Sequence, residues 1–259
     1  MSTTIQRNLQ EGILTLTLNR TKAYNSFNRE MALALIAALA QAEQNDEVRV
    51  VVLTGAGKAF CAGQDLREVT EDNGIGFEQI LNEHYNPMVK AIRNLPKPVV
   101  AAINGVAAGA GANIALACDL TIAKASASFT QAFSKIGLVP DSGGSFFLPR
   151  LVGLQRATAL TFLSDKLTAQ EAADMGLIYQ CVADEDYEEA VQKLAVRLAK
   201  MPTAALGMTK QLLNKSMTNS LDEQLELEGK LQLDASGRYD YQEGVNAFLE
   251  KRKPEFKGK

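Results

Sequence analysis

The chain has 259 residues, of which 46% are hydrophobic and 22% charged, a composition typical of a globular protein with one large domain. A net charge of -3 gives no electrostatic attraction for nucleic acid, so no nucleic-acid partner is expected. A single histidine, His84, excludes a histidine-rich metal site, and no metal is expected. The polar start is unlike a signal peptide, and no apolar run reaches transmembrane length. We therefore expect a cytoplasmic protein without membrane contact, with three reduced cysteines.

The first predicted elements are strands and one amphipathic helix. Residues 12–18 alternate apolar side chains with threonine and residues 50–53 are apolar, so both predict strands. Between them, apolar residues at helical spacing predict a helix that begins after Asn28, whose side chain can cap it. The sequence FCAGQDL at residues 60–66 then predicts a glycine turn, with Asp65 as the cap of a short helix. The other interpretation is that this turn and a similar one on a neighbouring strand offer two N–H donors to one oxygen.

The middle of the chain contains the stretch NGVAAGAGANIALACD, which is rich in glycine and alanine. It follows a predicted buried strand at residues 98–103 and leads into a predicted helix at residues 112–117. Small residues allow another backbone, or a ligand, to approach closely. Free N–H groups at such a helix start favour negative charge, including the charge that develops on an enolate oxygen. A tight contact between helix and sheet is the other interpretation of these small residues.

Farther along, a polar loop is predicted over residues 67–76 and a helix over residues 77–95, bent at Pro87. His84 and Tyr85 lie on this helix. His84 is interpreted as a packing or surface residue, and Tyr85 as a core residue rather than part of a substrate pocket.

The sequence GLVPDSGG at residues 137–144 predicts a tight turn after two short strands at residues 120–123 and 128–130. Asp141 lies in this turn, just before a short predicted helix. Its carboxylate has two interpretations, as the cap of that helix or as an acid or base. The last third is helical, and its basic end, residues 251–259, is interpreted as a solvated tail. The predicted helices cover residues 154–163, 169–175, 187–198, 204–216 and 221–237.

The three motifs FCAGQDL, NGVAAGAGANIALACD and GLVPDSGG, in this order, resemble the signature of the enoyl-CoA hydratase/isomerase family, also called the crotonase family. The resemblance spans essentially the whole chain. It implies an α/β crotonase (ClpP-like) fold, in which repeated β-β-α units form two near-perpendicular sheets. It further implies a crotonase core over residues 1–200, a C-terminal helical trimerisation region over residues 201–259, and a homotrimer or dimer of trimers.

The same resemblance implies a coenzyme A thioester as substrate, so coenzyme A belongs to the substrate and no separate cofactor is expected. The backbone N–H groups of Ala62 and Ala110 would hold the thioester oxygen. Gln64 and Asp65 would lie beside the pantetheine arm, and Ala23 would lie near the adenine. The full set of implied substrate-binding residues is Ala23, Gly63, Gln64, Asp65 and Leu66.

The chain departs from the family pattern at the acid and base. Typical hydratases use two glutamates, and the matching positions here hold Asn113 and Phe133, neither of which can exchange a proton at neutral pH. The remaining carboxylate is Asp141, which the resemblance implies as catalytic base. Phe133 and Val139 are expected to desolvate it and to raise its basicity.

This pattern is similar to the ring-epoxide isomerases of bacterial phenylacetate degradation. It implies conversion of 2-(1,2-epoxy-1,2-dihydrophenyl)acetyl-CoA to 2-oxepin-2(3H)-ylideneacetyl-CoA by an allylic proton shift through an enolate. A Δ3,Δ2-enoyl-CoA isomerase and an enoyl-CoA hydratase are the alternatives within the family. A non-catalytic acyl-CoA-binding subunit of a pathway complex is a further alternative, which the retention of Asp141 disfavours.

Overall fold

The computed structural model describes residues 3–70 and 75–259, and these contain ten strands and twelve α-helices. The strands are β1 (Ile5–Gln10), β2 (Ile13–Leu18), β3 (Val50–Gly55), β4 (Ala59–Cys61), β5 (Val99–Ile103), β6 (Val106–Ala108), β7 (Leu120–Lys124), β8 (Ser128–Thr130), β9 (Leu167–Thr168) and β10 (Gln180–Val182). The helices are α1 (Arg29–Gln44), α2 (Leu66–Thr70), α3 (Phe77–Gln79), α4 (Asn86–Asn94), α5 (Ala110–Ala117), α6 (Gly144–Val152), α7 (Leu154–Leu163), α8 (Ala169–Asp174), α9 (Tyr187–Ala199), α10 (Thr203–Ser216), α11 (Leu221–Ser236) and α12 (Tyr239–Leu249).

The strands form two sheets. A six-stranded sheet has the order β1-β2-β3-β5-β7-β10, and every neighbouring pair except β1 and β2 is parallel. A four-stranded sheet has the order β4-β6-β8-β9. Each of β3, β5 and β7 lies in the large sheet and is followed at once by a strand of the small one, and helices come next. This alternation confirms the predicted repeat of β-β-α units.

The core lies around the large sheet and the helices that cover it. All five residues of β5 are buried, as the apolar run at residues 98–103 predicts. Helix α1 buries Met31, Leu35 and Ala38 at helical spacing. The N–H of Met31 donates to the side chain of Asn28 at 3.1 Å, which confirms the predicted cap.

The sequence analysis does not predict strand β1 or helix α12. Strand β1 is an edge strand that pairs only with β2, and most of its side chains are exposed, so it shows no alternation of apolar and polar residues. Helix α12 is absent from the predicted set as well. The chain after it is mostly exposed, as predicted for a solvated tail, but its end is fixed to the core, because the N–H groups of Lys257 and Gly258 donate to the buried carboxylate of Asp240 at 2.6 and 2.7 Å.

The predicted helix over residues 77–95 is present, but its distortion differs from a proline kink. A π-helical turn, Ile80–Tyr85, separates α3 from α4 and ends just before Pro87. Of the loop predicted over residues 67–76, residues 71–74 lie outside the described part of the chain, and residues 67–70 belong to α2. Within the described residues, no helix is both long and apolar enough to cross a membrane.

The C-terminal helices make polar contacts with the core. Lys210 of α10 forms an ion pair with Asp119 at 2.8 Å, and Arg49 donates to the carbonyl of Met201 at 2.8 Å. Large apolar side chains of α11 and α12 face solvent in the single chain, among them Leu233, 75% exposed, and Phe248, 83% exposed. The trimerisation role of residues 201–259 stays a prediction.

Candidate active site

A cavity of about 210 Å³ lies where the end of β4, the end of β6 and the start of α5 meet. It contains most of the predicted site residues, and Ala23 and Asp65 are the two that do not line it. The lining residues are Ala62, Gly63, Gln64, Leu66, Phe77, Ile80, Tyr85, Gly109, Ala110, Ala132, Phe133, Lys135, Ile136, Leu138 and Asp141.

Two glycine turns touch each other at one wall of this cavity. A Cβ atom added to Gly63 would lie 3.1 Å from the carbonyl oxygen of Ala108 and 3.5 Å from the nitrogen of Ala110. One added to Gly111 would lie 2.4 Å from the carbonyl oxygen of Cys61, closer than real Cβ atoms come. The small residues are therefore needed for a close backbone contact, and that contact itself brings the turns together beside the cavity.

The turn after β4 leaves free a different N–H group from the predicted one. The N–H of Ala62 donates to the carbonyl of Tyr24 at 3.0 Å, and that of Gly63 lies 3.4 Å from the sulfur of Cys61. Gln64 forms a parallel bridge with Phe27 that uses the carbonyl of residue 63 and the N–H of residue 65. The N–H of Gln64 consequently points to the opposite side. It donates to no acceptor within residues 3–70 and 75–259.

This geometry contradicts the donor role predicted for Ala62 and places the free N–H at Gln64. Ala110 is the first residue of α5, where N–H groups have no partner inside the helix. Its N–H is also without an acceptor in the described part of the chain. Two adjoining turns at the cavity thus each carry an N–H group without an acceptor in the described chain. The bond between Ala62 and Tyr24 joins distant parts of the chain, so no local sequence pattern reveals it.

Asp141 is the one carboxylate among the lining residues that belong to the described ranges 3–70 and 75–259. Its burial disfavours the charged form and raises the pKa of the carboxyl group to about 6. The hydroxyl of Ser142 donates to Oδ1 at 2.9 Å and opposes part of that effect. A carboxyl group with this pKa is ionised at pH 7 to 8, and it is a stronger base than an exposed aspartate.

Two expectations about Asp141 are wrong. The carboxylate does not cap α6, because Gly143 occupies the cap position and Asp141 contributes only its backbone carbonyl to the turn, accepting from the N–H of Gly144 at 2.8 Å. Val139 does not desolvate the carboxylate either, since it is 81% exposed and lies outside the cavity lining. Leu138 lines the cavity instead, because the turn directs alternate side chains to opposite sides.

Tyr85 belongs to the cavity wall, which corrects its interpretation as a packing residue alone. Its hydroxyl donates to the side-chain oxygen of Gln64 at 2.8 Å, and its ring meets that of Phe27 edge-on with centroids 6.1 Å apart. Burial raises the pKa of the phenol well above its usual value, so the hydroxyl remains a neutral donor. The π-helical turn places Tyr85 here, and such turns occur frequently at functional sites.

Asp65 has a structural role in the single chain. Arg67 and Arg20 donate to its carboxylate at 3.1 and 2.8 Å, and both arginines hold its pKa down, at about 2. The N–H of Arg67 also donates to Oδ1 at 3.3 Å, at the start of α2, as the predicted cap requires. Ala23 ends a short 3-10 turn outside the cavity lining. The adenine and pantetheine contacts of both residues stay predictions.

The two positions that correspond to the hydratase glutamates have different surroundings. Phe133 lines the cavity as an apolar wall, and Asn113 is fully buried behind the lining. Neither brings a second proton-exchanging group to the site. Among residues 3–70 and 75–259, no group of histidine, cysteine or acidic side chains is arranged to hold a metal ion.

Residues 8–259 match the model of the enoyl-CoA hydratase/isomerase family. The chain belongs to this family. It is 48% identical to a 1,2-epoxyphenylacetyl-CoA isomerase of Escherichia coli K12, with 98% of both chains covered. It is 46% identical to a protein of Rhodobacter capsulatus named "Probable enoyl-CoA hydratase", covering 99% of this chain and 98% of that one.

A crystal structure of an enoyl-CoA hydratase from Bacillus anthracis has a TM-score of 0.91 with this chain at 34% identity, covering 99% of this chain and 100% of that one. Fold and family are therefore those of the crotonases, and the chain is an enzyme of the isomerase type. In this family member, the described part of the cavity combines two backbone N–H groups with one desolvated carboxylate, that of Asp141. Such an arrangement can remove a proton next to a carbonyl and stabilise the enolate that forms.

Proposed function

We propose that this enzyme converts 2-(1,2-epoxy-1,2-dihydrophenyl)acetyl-CoA to 2-oxepin-2(3H)-ylideneacetyl-CoA. The observation that carries the proposal is the position of Asp141, the only carboxylate among the described residues that line the cavity, beside the acceptor-free N–H groups of Gln64 and Ala110. The 48% identity to the Escherichia coli isomerase supports the choice of substrate.

The chemistry requires one base and one place for negative charge. The epoxide and its oxepin form interconvert by a bond shift, so the step that needs catalysis is the movement of a proton. Asp141 takes a proton from the carbon next to the thioester, and the electron pair moves onto the thioester oxygen. The N–H groups of Gln64 and Ala110 hold this oxygen, and each contributes about 3 kcal/mol by analogy with other oxyanion holes. The electrons then return through the conjugated system as Asp141 delivers the proton to a ring carbon.

A single carboxylate suits an isomerisation better than the addition of water. A hydratase of the two-glutamate type needs a second group to position water, and Asn113 and Phe133 do not provide one. The same carboxylate can remove the proton and return it, so the atoms balance without a co-reactant. Desolvation of Asp141 keeps its basicity high and leaves it ionised at pH 7 to 8, because its pKa is about 6.

The size and walls of the cavity favour a compact acyl group. Its volume of about 210 Å³ is below the roughly 300–1,000 Å³ of ordinary small-molecule pockets. Phe133, Tyr85 and Leu138 supply apolar surface around Asp141. A six- or seven-membered ring fits such a space better than an extended fatty chain. A Δ3,Δ2-enoyl-CoA isomerase would use the same groups, and it is the alternative to test.

We further propose that the enzyme is a homotrimer or a dimer of trimers in the cytoplasm. The exposed apolar side chains of α11 and α12 support association, since burying them would remove them from water. The three free cysteines of the described chain support a reducing compartment.

The experiment offers the ring-epoxide thioester and 3-hexenoyl-CoA side by side to the purified protein and to Asp141→Asn. We expect turnover of the ring epoxide to be the faster reaction, and Asp141→Asn to reduce it by a factor of roughly 100 or more. Asp46→Asn, a change at an exposed aspartate, serves as the control and should keep full activity. Preferred turnover of 3-hexenoyl-CoA would overturn the substrate, and a fully active Asp141→Asn enzyme would overturn the base.

A further inference from the structure

Behind the cavity wall lies a buried pair of side-chain amides, Asn113 and Gln131. Asn113 is 0% exposed and Gln131 is 6% exposed. The Nδ2 group of Asn113 donates to the backbone carbonyl of Asp141 at 2.9 Å. Its Oδ1 atom accepts from Nε2 of Gln131 at 2.8 Å. The amide of Asn113 is therefore used at both ends, and one end holds the residue that bears the cavity's carboxylate.

The turn that carries Asp141 is shaped around this amide. Ser142 and Gly143 both have positive φ, 52° and 76°, so residues 141–144 form a tight turn with left-handed residues. A Cβ atom added to Gly144 would lie 2.2 Å from Nδ2 of Asn113. Only glycine leaves room for the amide to reach across to Asp141. The close fit indicates that the contact between Asn113 and the turn is specific.

The position of Asn113 on α5 connects the base with the oxyanion donor. Ala110, which lines the cavity and whose N–H has no acceptor in the described chain, is the first residue of this helix, and Asn113 follows three residues later on the same face. The N–H of Asn113 donates to the carbonyl of Gly109 at 3.1 Å, so this first turn of the helix is closed. One rigid helical turn therefore carries the N–H donor at its start and the amide that holds Asp141 at its end.

From these contacts we infer that Asn113 is a positioning residue for Asp141 and that Gln131 orients Asn113. The inference rests on the proposed function of Asp141 as the base. Proton transfer requires the carboxylate to lie at a fixed place relative to the carbon and to the enolate oxygen, and a displacement of 1 Å can cost a factor of about 100. The bond from Asn113 fixes the backbone of Asp141 to the helix that fixes the enolate oxygen.

The Oε1 atom of Gln131 is buried and has no hydrogen-bond partner within the described residues. An unsatisfied buried carbonyl is unfavourable, so the bond at the other end of the Gln131 amide is the one that fixes its orientation. The bond that Gln131 does make is directed at Asn113, and it sets which end of that amide faces Asp141. An amide turned the other way would place an oxygen against the carbonyl oxygen of Asp141.

The test is a double-mutant cycle with Asn113→Ala and Asp141→Asn, followed with whichever thioester the wild-type enzyme isomerises fastest. We expect Asn113→Ala to lower kcat by a factor of about 10 to 100 and to leave KM within about twofold. In the Asp141→Asn background, Asn113→Ala should have no further effect on kcat, because it acts only through Asp141. Asn104→Ala removes another asparagine that donates to backbone carbonyls, at 3.0 and 3.3 Å, and it should lower the melting temperature without this change in kcat.

Gln131→Met removes the donor that orients Asn113 and leaves Asn113 in place. This variant tests the positioning of Asp141 even if Asn113→Ala does not fold. It should lower kcat by a smaller factor than Asn113→Ala does. In the Asp141→Asn background it should leave kcat unchanged. An Asn113→Ala or Gln131→Met enzyme with full kcat, or effects that multiply with those of Asp141→Asn, would overturn the inference. These outcomes differ from failure of the proposed function, which would show as activity of Asp141→Asn itself.

Discussion

The two glycine turns and the loop of residues 137–144 meet at the same cavity, but they contribute to it in opposite ways. The turns offer backbone N–H groups, at Gln64 and Ala110, and these atoms are present whatever side chains the turns carry. The loop offers one side chain, that of Asp141, whose environment raises its pKa to about 6.

This difference separates what the family shares from what sets this enzyme apart. The turns form wherever small residues allow the backbones to touch, as at Gly63 and Gly111. Under the proposed function, the turns hold the thioester oxygen and the carboxylate opposite them decides the reaction. Among the described lining residues that carboxylate belongs to Asp141, whose backbone carbonyl accepts from the buried amide of Asn113.

The backbone contribution can be removed with a single proline. Ala110 is the first residue of α5, a position that tolerates proline in helices, so Ala110→Pro deletes the N–H and leaves the helix intact. We expect turnover to fall by a factor of about 100 to 1,000, the usual effect of losing one oxyanion donor. Turnover and melting temperature should be measured together.

Leu154→Pro is the matched control, because Leu154 is the first residue of α7 and also follows a glycine with positive φ. It should keep full turnover. An Ala110→Pro enzyme that is as active as Leu154→Pro would show that the turns do not hold the developing charge.

A change of pH titrates the carboxyl group of Asp141 in the loop and leaves the backbone N–H groups of the turns unchanged. Since the base must be ionised, kcat/KM should fall as the pH drops through about 6, to about one tenth of its plateau at pH 5. The pH profile should be measured from pH 4.5 to 8.5 on the wild-type enzyme. A limb near the ordinary aspartate value of 3.8 would contradict a desolvated base.

The pH dependence of stability that Asp141 causes has the opposite sign to the pH dependence of activity. The pKa of Asp141 is higher in the folded protein than in the unfolded chain, so the protonated carboxyl group adds to the free energy of unfolding. That stabilisation is lost as the pH rises from about 4 to about 6. Asp141→Asn should therefore melt no lower than the wild-type enzyme at pH 8. Its carboxylate caps no helix, so no cap is lost with it.

The smallest expected effect concerns a hydrogen bond from Tyr85 of the π-helical turn to the first glycine turn. Tyr85 donates to the side chain of Gln64 at 2.8 Å, beside the turn and facing the same cavity as Asp141. Tyr85→Phe deletes that bond and keeps the ring against Phe27. We expect kcat/KM to fall two- to tenfold, the range of one ordinary hydrogen bond. A larger loss, with an altered pH profile, would indicate that the hydroxyl takes part in the proton transfer.

Much of the fold could be predicted because its signals are local. The apolar run of β5, the helical spacing and cap of α1, and the glycines of both turns each depend on neighbouring residues. Edge strand β1 gave no signal, since its exposed side chains need no alternation.

The motifs predicted which segments form the candidate site, but not which backbone N–H groups in them are free. The motifs predicted Asp141 and Ala110, and both line the cavity, whereas the N–H of Gln64 and not that of Ala62 is free because Tyr24, distant along the chain, accepts from Ala62. The cavity position of Tyr85 depends on a π-helical turn that has no periodic signature.

The glycine contact between the turns also determines the reactivity of a nearby thiol. Cys61 is 0% exposed, and a Cβ atom at Gly111 would lie 2.7 Å from its sulfur. Burial raises the pKa of this thiol to about 12, so the reactive thiolate is practically absent at neutral pH. Although Cys61 lies three residues from Gln64, we expect it to resist alkylating reagents and peroxide in the native enzyme. It is accordingly a poor anchor for covalent inhibitors, and labelling of Cys61 would instead report that the two turns have separated.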